Sequence, residues 1–235
     1  MLYEIRFYRA TPGRLNDLHA RFRDRLPPLM QRLGIRIVGN WSVLAGPQVP
    51  LFVYIVAFED AADRESRWNA FYVDPEWLEI RRETNAGSEL VERYDVMLVK
   101  PNPQWSPPLG DTDSRLGGIH ELVLLDTGLG RGAEAQAAFY DNWLPAVQRA
   151  GAVPMMVADV TVGTGLPRMA VLLCWHDAES WHQGTVALEA DTGLCAALAN
   201  ERELQGSASL QRADTYLLQP PSYSLPLSTL GYAKP

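Results

Sequence analysis

The chain repeats its own pattern at a constant shift of about 117 positions. Residues of the first half recur in the second: Tyr3-Glu4-Ile5 aligns with His120-Glu121-Leu122, Phe22 with Phe139, Gly34 with Gly151 and Gly46 with Gly163. Self-similarity at a fixed period is typical of duplicated structural units. The sequence therefore predicts one domain at residues 1–105 and a second, diverged copy at residues 118–220, with a linker at 106–117 and a tail at 221–235.

The composition limits the classes of protein to which the chain can belong. Hydrophobic residues make up 47% and charged residues 21% of the sequence, which is a soluble globular balance. A net charge of -7 without any basic block disfavours a nucleic-acid partner. The longest apolar run, residues 51–58, is too short for a membrane span of roughly 20 residues. We therefore expect a cytoplasmic protein. Cys174 and Cys195 lack zinc-ligand spacing, and we expect no metal and no cofactor.

Four strands are predicted in the first half from runs of β-forming residues. They lie near residues 2–8, 35–44, 51–58 and 91–99. The second and third are joined by a short turn that contains Gly46 and Pro47, which makes them a hairpin.

Two helical regions are predicted between these strands. An apolar stripe at helical spacing marks the first, and its members are Leu15, Leu18, Phe22, Leu26, Leu29 and Leu33. Pro27 and Pro28 must kink or break this helix. Asp60 and Asp74 are placed to cap the segments of the second region. The resulting β-α-β-β-α-β order predicts an α+β, ferredoxin-like fold with both helical regions on one face of an antiparallel sheet.

The first strand of each half carries apolar or aromatic residues on both of its faces. In the first half, Tyr3, Ile5 and Phe7 share one face, while Glu4, Arg6 and Tyr8 share the other. Helices can cover only one face, so we expect the two sheets to pack face to face as an intrachain dimeric α+β barrel. The chain would then be a pseudo-dimer by itself, and a further homodimer stays open. The proline-flanked aromatic residues Trp105 and Tyr223 are expected to pack on the neighbouring copy.

Four motifs of the first half stand out. They are Tyr3-Glu4-Ile5-Arg6-Phe7-Tyr8, Pro12-Gly13-Arg14-Leu15, Ala61-Ala62-Asp63-Arg64-Glu65-Ser66-Arg67 and Asp74-Pro75-Glu76-Trp77. Together they resemble the NIPSNAP family over most of residues 1–105, whereas the second half keeps mainly Glu121, Pro145 and the turn glycines. The resemblance implies a dimeric α+β barrel. That class also includes cofactor-free monooxygenases and haem-degrading enzymes, while the family itself has no agreed activity.

Polar residues on the first strands are the main candidates for a site. Glu4 and Glu121 occupy equivalent positions, and we expect both to point into the barrel. A buried carboxylate needs a partner, and Arg6 lies two residues from Glu4 on the same face, followed by Tyr8. Two interpretations stay open. The pair is either a structural ion pair or part of a ligand-binding or proton-transfer site.

Aromatic residues and histidines complete the candidates. Trp41 and Tyr54 on the predicted hairpin could line the space beside the first sheet, and each has an equally ordinary interpretation as core. His19 lies beside the apolar stripe, and His120 is expected to face the helices. For both histidines we predict a hydrogen-bonded packing role.

The leading functional hypothesis is a protein that binds a small, mostly apolar molecule between its two sheets. It would possess monooxygenase-like or isomerase-like activity without a metal, with Glu4 as general base or anchor and Arg6 holding its charge or an anionic group. Tyr8, Trp41, Tyr54 and Glu121 would shape the pocket. The alternative is a non-catalytic interaction or scaffold protein with a packed barrel. A cavity of roughly 300 Å³ or more beside Glu4 would favour the binding protein.

Overall fold

The computed structural model describes residues 1–105 and 118–224, so the predicted linker at 106–117 and residues 225–235 of the predicted tail lie outside the described residues. The strands of the first half are β1 (Leu2–Ala10), β2 (Arg36–Ala45), β3 (Leu51–Phe58) and β4 (Val91–Pro101). Its helices are α1 (Leu15–Ala20), α2 (Leu26–Arg32), α3 (Ala61–Val73) and α4 (Pro75–Asn85), with a π-helical turn at Arg21–Arg25 between α1 and α2. The predicted order of elements is confirmed.

The second half repeats this order of elements. Its strands are β5 (Ile119–Thr127), β6 (Val153–Val162), β7 (Arg168–Trp175) and β8 (Leu210–Gln219). Its helices are α5 (Gly132–Ala138), α6 (Leu144–Arg149), α7 (Ala178–Glu189) and α8 (Thr192–Gln205), with a π-helical turn at Phe139–Trp143 between α5 and α6. Among the described residues, no helix combines the length and the apolar character that crossing a bilayer requires.

The first helical region of each half runs through its prolines instead of ending there. In the first half, the π-helical turn at Arg21–Arg25 directly precedes the first turn of α2, where Pro27 and Pro28 lie. A proline has no N–H to donate, so the start of a helical segment after a wide turn is where it is tolerated. Phe139–Trp143 and Pro145 repeat the arrangement in the second half. The predicted kink is therefore a π-helical turn.

The eight strands form one closed barrel in the order β1-β3-β2-β8-β5-β7-β6-β4. The two halves are joined twice by antiparallel pairing, which places Val43 of β2 opposite Leu218 of β8 and Lys100 of β4 opposite Asp159 of β6. Each edge strand of one half is thus paired with an edge strand of the other, so each of the eight described strands has two neighbours. The predicted fold class, two ferredoxin-like units in an intrachain dimeric α+β barrel, is confirmed.

Three hydrophobic cores divide the molecule into layers. One lies inside the barrel and includes Tyr3, Ile5 and Phe7 of β1. The other two lie between the barrel wall and the helices of the first half and of the second half. Successive residues of a strand point to opposite faces, so the even-numbered residues of β1 meet the helices. Both faces of the strand are covered, as its sequence requires.

The two proline-flanked aromatic residues pack on the opposite half, as predicted. Trp105 is 8% exposed and lies in the core of the second half. Tyr223 packs against the core of the first half, and its hydroxyl oxygen lies 2.6 Å from Nδ1 of His19. His19 Nε2 lies 2.6 Å from the hydroxyl oxygen of Ser42, so the imidazole connects the residues that follow β8 to β2. Each half is thereby held by a segment that follows the other.

Replacing Trp105 with alanine should destabilise the whole chain. The indole is buried in the core of the second half, and truncating such a tryptophan costs about 3–5 kcal/mol. Urea unfolding followed by circular dichroism measures the loss. Leu129→Ala is the control, since Leu129 is 84% exposed and its truncation should change the free energy of unfolding by less than about 0.5 kcal/mol. Equal midpoints for W105A and the wild type would contradict this packing.

Acidification should weaken the contact between His19 and Tyr223. Burial, and secondly the charge of Arg23, lowers the pKa of His19. The unfolded chain takes up a proton near pH 6.5, whereas the folded chain resists protonation, so stability falls as the pH drops below about 6.5. The urea midpoint should therefore decrease less between neutral and mildly acidic pH in His19→Gln than in the wild type. His182→Gln, at an exposed histidine, is the control and should keep the wild-type slope.

Candidate functional site

The predicted Glu4 and Arg6 pair lies between the sheet and helix α3, not inside the barrel. Glu4 is fully buried and accepts hydrogen bonds from Arg64 Nε and, at 3.1 Å, from Trp68 Nε1. Arg6 Nε lies 3.4 Å from Glu4 Oε1. The prediction that Glu4 points into the barrel is therefore wrong. The barrel interior is apolar, whereas α3 supplies the cation and the indole that a buried carboxylate needs.

An aromatic cage surrounds the guanidinium group of Arg6. Its Cζ atom lies 4.5 Å from the ring centroid of Trp68, 4.8 Å from Tyr94, 5.4 Å from Tyr8 and 5.9 Å from Tyr54. Tyr54 donates a hydrogen bond to the Tyr8 hydroxyl at 2.8 Å. Burial raises the pKa of both phenols, so both stay protonated at neutral pH. The cage stabilises a buried cation through the faces of neutral rings.

The second half keeps the buried carboxylate and loses the cage. Glu121 accepts a hydrogen bond from Trp175 Nε1 at 2.9 Å and another from Arg212. Val123 and Leu125 stand where the first half has Arg6 and Tyr8, and both lie in the apolar core beneath the helices. Glu121 therefore also points away from the barrel interior. The second half is therefore apolar at the positions where the first half has the caged arginine.

Trp41 and His120 meet inside the barrel. Trp41 is 1% exposed, and its Nε1 donates a hydrogen bond to His120 Nδ1 at 2.8 Å. His120 thus faces the barrel rather than the helices, which corrects the sequence-based prediction. Tyr54, by contrast, lies on the helix side with its ring 4.8 Å from that of Phe22. Trp41 fills the barrel and bridges the two halves, while Tyr54 belongs to the helix layer.

A cavity of about 480 Å³ opens at one mouth of the barrel, between the two sheets. Its floor is apolar and consists of Phe7, Leu51, Met97, Leu124 and Tyr216. Its rim is charged and includes Arg93, Asp95, Arg168 and Asp214. Glu4 does not border this space. The cavity between the sheets therefore has a different set of polar residues from those that the sequence singled out.

Corresponding positions of the two halves line this mouth. Phe7 faces the cavity from β1 and Leu124 from β5, at the shift of the internal repeat. Asp95 and Asp214 also correspond, once the two-residue slip in the closing strands is allowed for. This correspondence is the feature of the sequence that could have pointed to the site. It is a weak indication, because single aspartates are common on strands that face solvent.

The charges on the rim are nearly balanced. Arg168 Nε lies 2.6 Å from Asp126 and its Nη1 lies 3.6 Å from Asp214. Across the mouth, Arg93 Nη2 lies 3.4 Å from Asp95. Such a rim attracts neither strong anions nor strong cations as a class.

The Tyr216 hydroxyl is the donor available at the floor. Burial, and secondly the charge of Asp214, raises the pKa of Tyr216 to about 12, so the phenol stays protonated at neutral pH. Its ring lies 5.1 Å from that of Phe7. Among residues 1–105 and 118–224 the hydroxyl makes no hydrogen bond.

The same described ranges hold no cluster of three or more histidine, cysteine or acidic residues that would bind a metal ion.

Glu4→Gln should destabilise the protein more than Glu121→Gln. Arg6 is 2% exposed, and breaking a buried ion pair from one side costs about 3–5 kcal/mol. Arg212 has a side chain that is 37% exposed and can be hydrated after Glu121 is neutralised, so the second substitution should cost clearly less. Chemical unfolding of both variants gives the comparison. A smaller loss for E4Q than for E121Q would refute the structural role assigned to the Glu4 and Arg6 pair.

The chain resembles known proteins at two levels. The NIPSNAP family model matches residues 3–107. An uncharacterized NIPSNAP domain protein from Burkholderia xenovorans is 21% identical, with a TM-score of 0.40, and the match covers 45% of this chain and 99% of that one. None of the curated proteins is significantly similar to this chain.

Two solved structures match the barrel as a whole. An anthrone oxidase-like protein is 12% identical with a TM-score of 0.58, over 92% of this chain and 90% of that one. A putative monooxygenase from Fusobacterium nucleatum is 8% identical with a TM-score of 0.53, over 93% and 91% of the two chains. These two structures share the fold of both halves together. By the match at residues 3–107 and by its motifs, the first half of the chain resembles the NIPSNAP family.

Proposed function

We propose that this protein binds a small, mostly apolar molecule with one oxygen-containing group at the mouth of the barrel, between the two sheets. The cavity of about 480 Å³ lies within the range of roughly 300–1,000 Å³ that small-molecule sites occupy. The observation that carries the proposal is the Tyr216 hydroxyl, a protonated donor without a hydrogen-bond partner among the described residues. A ligand oxygen would accept that hydrogen bond while its apolar body covers the floor.

The carboxylates of the rim supply the chemistry for a reaction on such a ligand. A monooxygenase-like or isomerase-like reaction would begin with removal of a proton from the bound molecule, and Asp95 and Asp214 are the carboxylates at this mouth that would accept it. The names of two proteins of the same fold, an anthrone oxidase-like protein and a putative monooxygenase, support this direction. In this proposal Glu4 and Arg6 stabilise the fold, because neither side chain reaches the cavity.

The second candidate is an interaction protein whose barrel binds nothing. The observation that favours it is the dense apolar core inside the barrel, in which Trp41, Val53 and Leu172 are each 1% exposed. Because the barrel interior is packed, a ligand in the described part of the barrel would have to bind at its mouth. The two candidates therefore differ in whether the mouth binds an apolar molecule at all.

We also infer that the two halves are diverged copies of one unit, at residues 1–105 and 118–220, connected by a linker at 106–117. The repeated order of elements, including the π-helical turn in each half, supports this inference. The loss of the Arg6 cage in the second half would then be part of the divergence.

A pair of aromatic probes tests the proposed binding. 2-Naphthol and naphthalene share the same two rings, and only the first has an oxygen for Tyr216. One hydrogen bond contributes about 1 kcal/mol, so the wild type should bind 2-naphthol roughly fivefold more tightly than naphthalene in fluorescence titrations. Tyr216→Phe should remove that preference while keeping naphthalene affinity. Tyr94→Phe, at an exposed tyrosine outside the cavity, is the matched control.

Filling the mouth should abolish binding of both probes. Leu124→Trp enlarges a floor residue, with circular dichroism as the check that the variant folds. If neither probe binds the wild type, or if L124W binds them unchanged, the packed interaction protein becomes the better account.

A further inference from the structure

A second cavity of about 450 Å³ lies beneath the interrupted helix of the first half, on the helix side of the sheet. Its walls are mostly apolar and include Phe22, Pro27, Met30, Ile35 and Ile37. The mouth of the barrel lies on the opposite face of this sheet, because Phe7 and Met97, which border the mouth, belong to the core inside the barrel. Among the described residues, none lines both cavities.

The strand register directs the side chain of Asn40 into this second cavity. Asn40 of β2 is paired with Tyr54 of β3, and Ile37 is paired with Val56, two residues along the same face of β3. Tyr54 and Val56 both belong to the core beneath the helices of the first half. Paired residues share a face, so Asn40 and Ile37 both lie on the helix side, despite the irregularity between Ile37 and Gly39. The amide group therefore lies among the apolar walls of the cavity that it lines.

The amide oxygen of Asn40 is a buried acceptor without a donor. Asn40 is 5% exposed, and within the described ranges no group donates a hydrogen bond to its Oδ1 atom. Ser224 Oγ donates at 3.4 Å to the main-chain carbonyl oxygen of Asn40, a contact that does not involve the amide group. Tyr223 also lines the cavity, but its hydroxyl oxygen is paired with Nδ1 of His19 at 2.6 Å. An unpaired buried acceptor destabilises the folded state, and a donor supplied by a ligand would satisfy it.

The second half has no amide at the corresponding position. Val157 stands there and is fully buried in the apolar core beneath the helices. Val157 is paired with Val171, as Asn40 is paired with Tyr54, so the two positions are equivalent in the fold. The barrel therefore forms with a hydrocarbon side chain at this point, and the fold itself does not require Asn40.

The charged residues that border this cavity are directed elsewhere. Among the described lining residues they are Arg23 and Arg36. Arg23 is paired with Asp24 at 2.6 Å. Arg36 is paired in the sheet with Ala57, which belongs to the core inside the barrel, so its side chain leaves β2 on the face opposite to Asn40. A ligand among the apolar walls should therefore be neutral.

We propose that this cavity binds a neutral, apolar molecule that carries one hydrogen-bond donor, an N–H or O–H group aimed at Asn40 Oδ1. The apolar body lies among Phe22, Met30 and Ile37. The volume of about 450 Å³ lies within the range that small-molecule sites occupy and accommodates a two-ring compound. The requirement is the reverse of the one proposed for the mouth of the barrel, where Tyr216 donates and the ligand accepts.

Indole and benzofuran test the requirement for a donor. The two molecules have nearly the same shape, and only indole has an N–H group. One hydrogen bond to the amide oxygen should make the wild-type chain bind indole about fivefold more tightly than benzofuran in isothermal titration calorimetry. Asn40→Val introduces the residue of the second half and should make the two affinities equal. Asn69→Val removes an exposed amide outside the cavity and is the matched control, which should keep the preference for indole.

Methionine methyl signals locate the bound molecule. Met30 lines this cavity, and Met97 lines the mouth of the barrel. In an NMR titration of the full chain with isotope-labelled methionine methyl groups, indole should shift the Met30 signal and leave the Met97 signal in place. Met30→Leu and Met97→Leu assign the two signals. Tyr216→Phe should leave both affinities unchanged, so the result does not depend on whether the mouth binds a ligand.

Four outcomes would overturn the proposal. The first is the absence of saturable binding of indole to the wild type. The second is a shift of the Met97 signal instead of the Met30 signal, which would place indole at the mouth. The third is binding of benzofuran as tight as that of indole to the wild type, or an unchanged preference for indole in N40V. The fourth is a markedly lower melting temperature for N40V, which should equal or exceed the wild-type value because an unpaired buried acceptor is removed.

Discussion

The rest of the structure depends on the need to cover two apolar faces of each sheet. The helices of each half cover one face, and the residues on the other face of β1, such as Ile5 and Phe7, are too apolar to stay in water. Pairing of β2 with β8 and of β4 with β6 closes the barrel and gives each of the described strands two neighbours at the same time. Burial and hydrogen bonding of the edge strands therefore favour the same arrangement.

Closure determines where charge can be buried. The interior of the barrel is filled from both sides, and Trp41 there donates a hydrogen bond to His120. The carboxylates of Glu4 and Glu121 lie instead on the helix side, where an arginine and a tryptophan can reach each of them. The partners come from different elements in the two halves. A buried carboxylate requires a cation and donors but does not prescribe which element supplies them.

The two cavities lie where this packing is incomplete. One is at the mouth of the barrel, where the side chains of both sheets diverge above Phe7 and Leu124. The other is beneath the π-helical turn of the first half, bordered by Phe22 and Arg23. Each combines an apolar wall with a polar group that the protein leaves without a partner, Tyr216 in one and Asn40 in the other.

The sequence by itself determined the α+β class, the order of the elements and the closure of the barrel, because the internal repeat and a strand that is apolar on both faces leave few other arrangements. It also separated the two faces of β1 correctly. The alternation of side chains along a strand shows which residues share a face, but it does not show which face meets the barrel interior and which meets the helices. Only the tertiary structure decided that Glu4 lies against α3, that His120 turns inward, and that Asp95, Asp214 and Tyr216 converge at one mouth. The physical reason is that a charged side chain is buried where residues distant in the sequence supply its partners. Only folding brings those partners together.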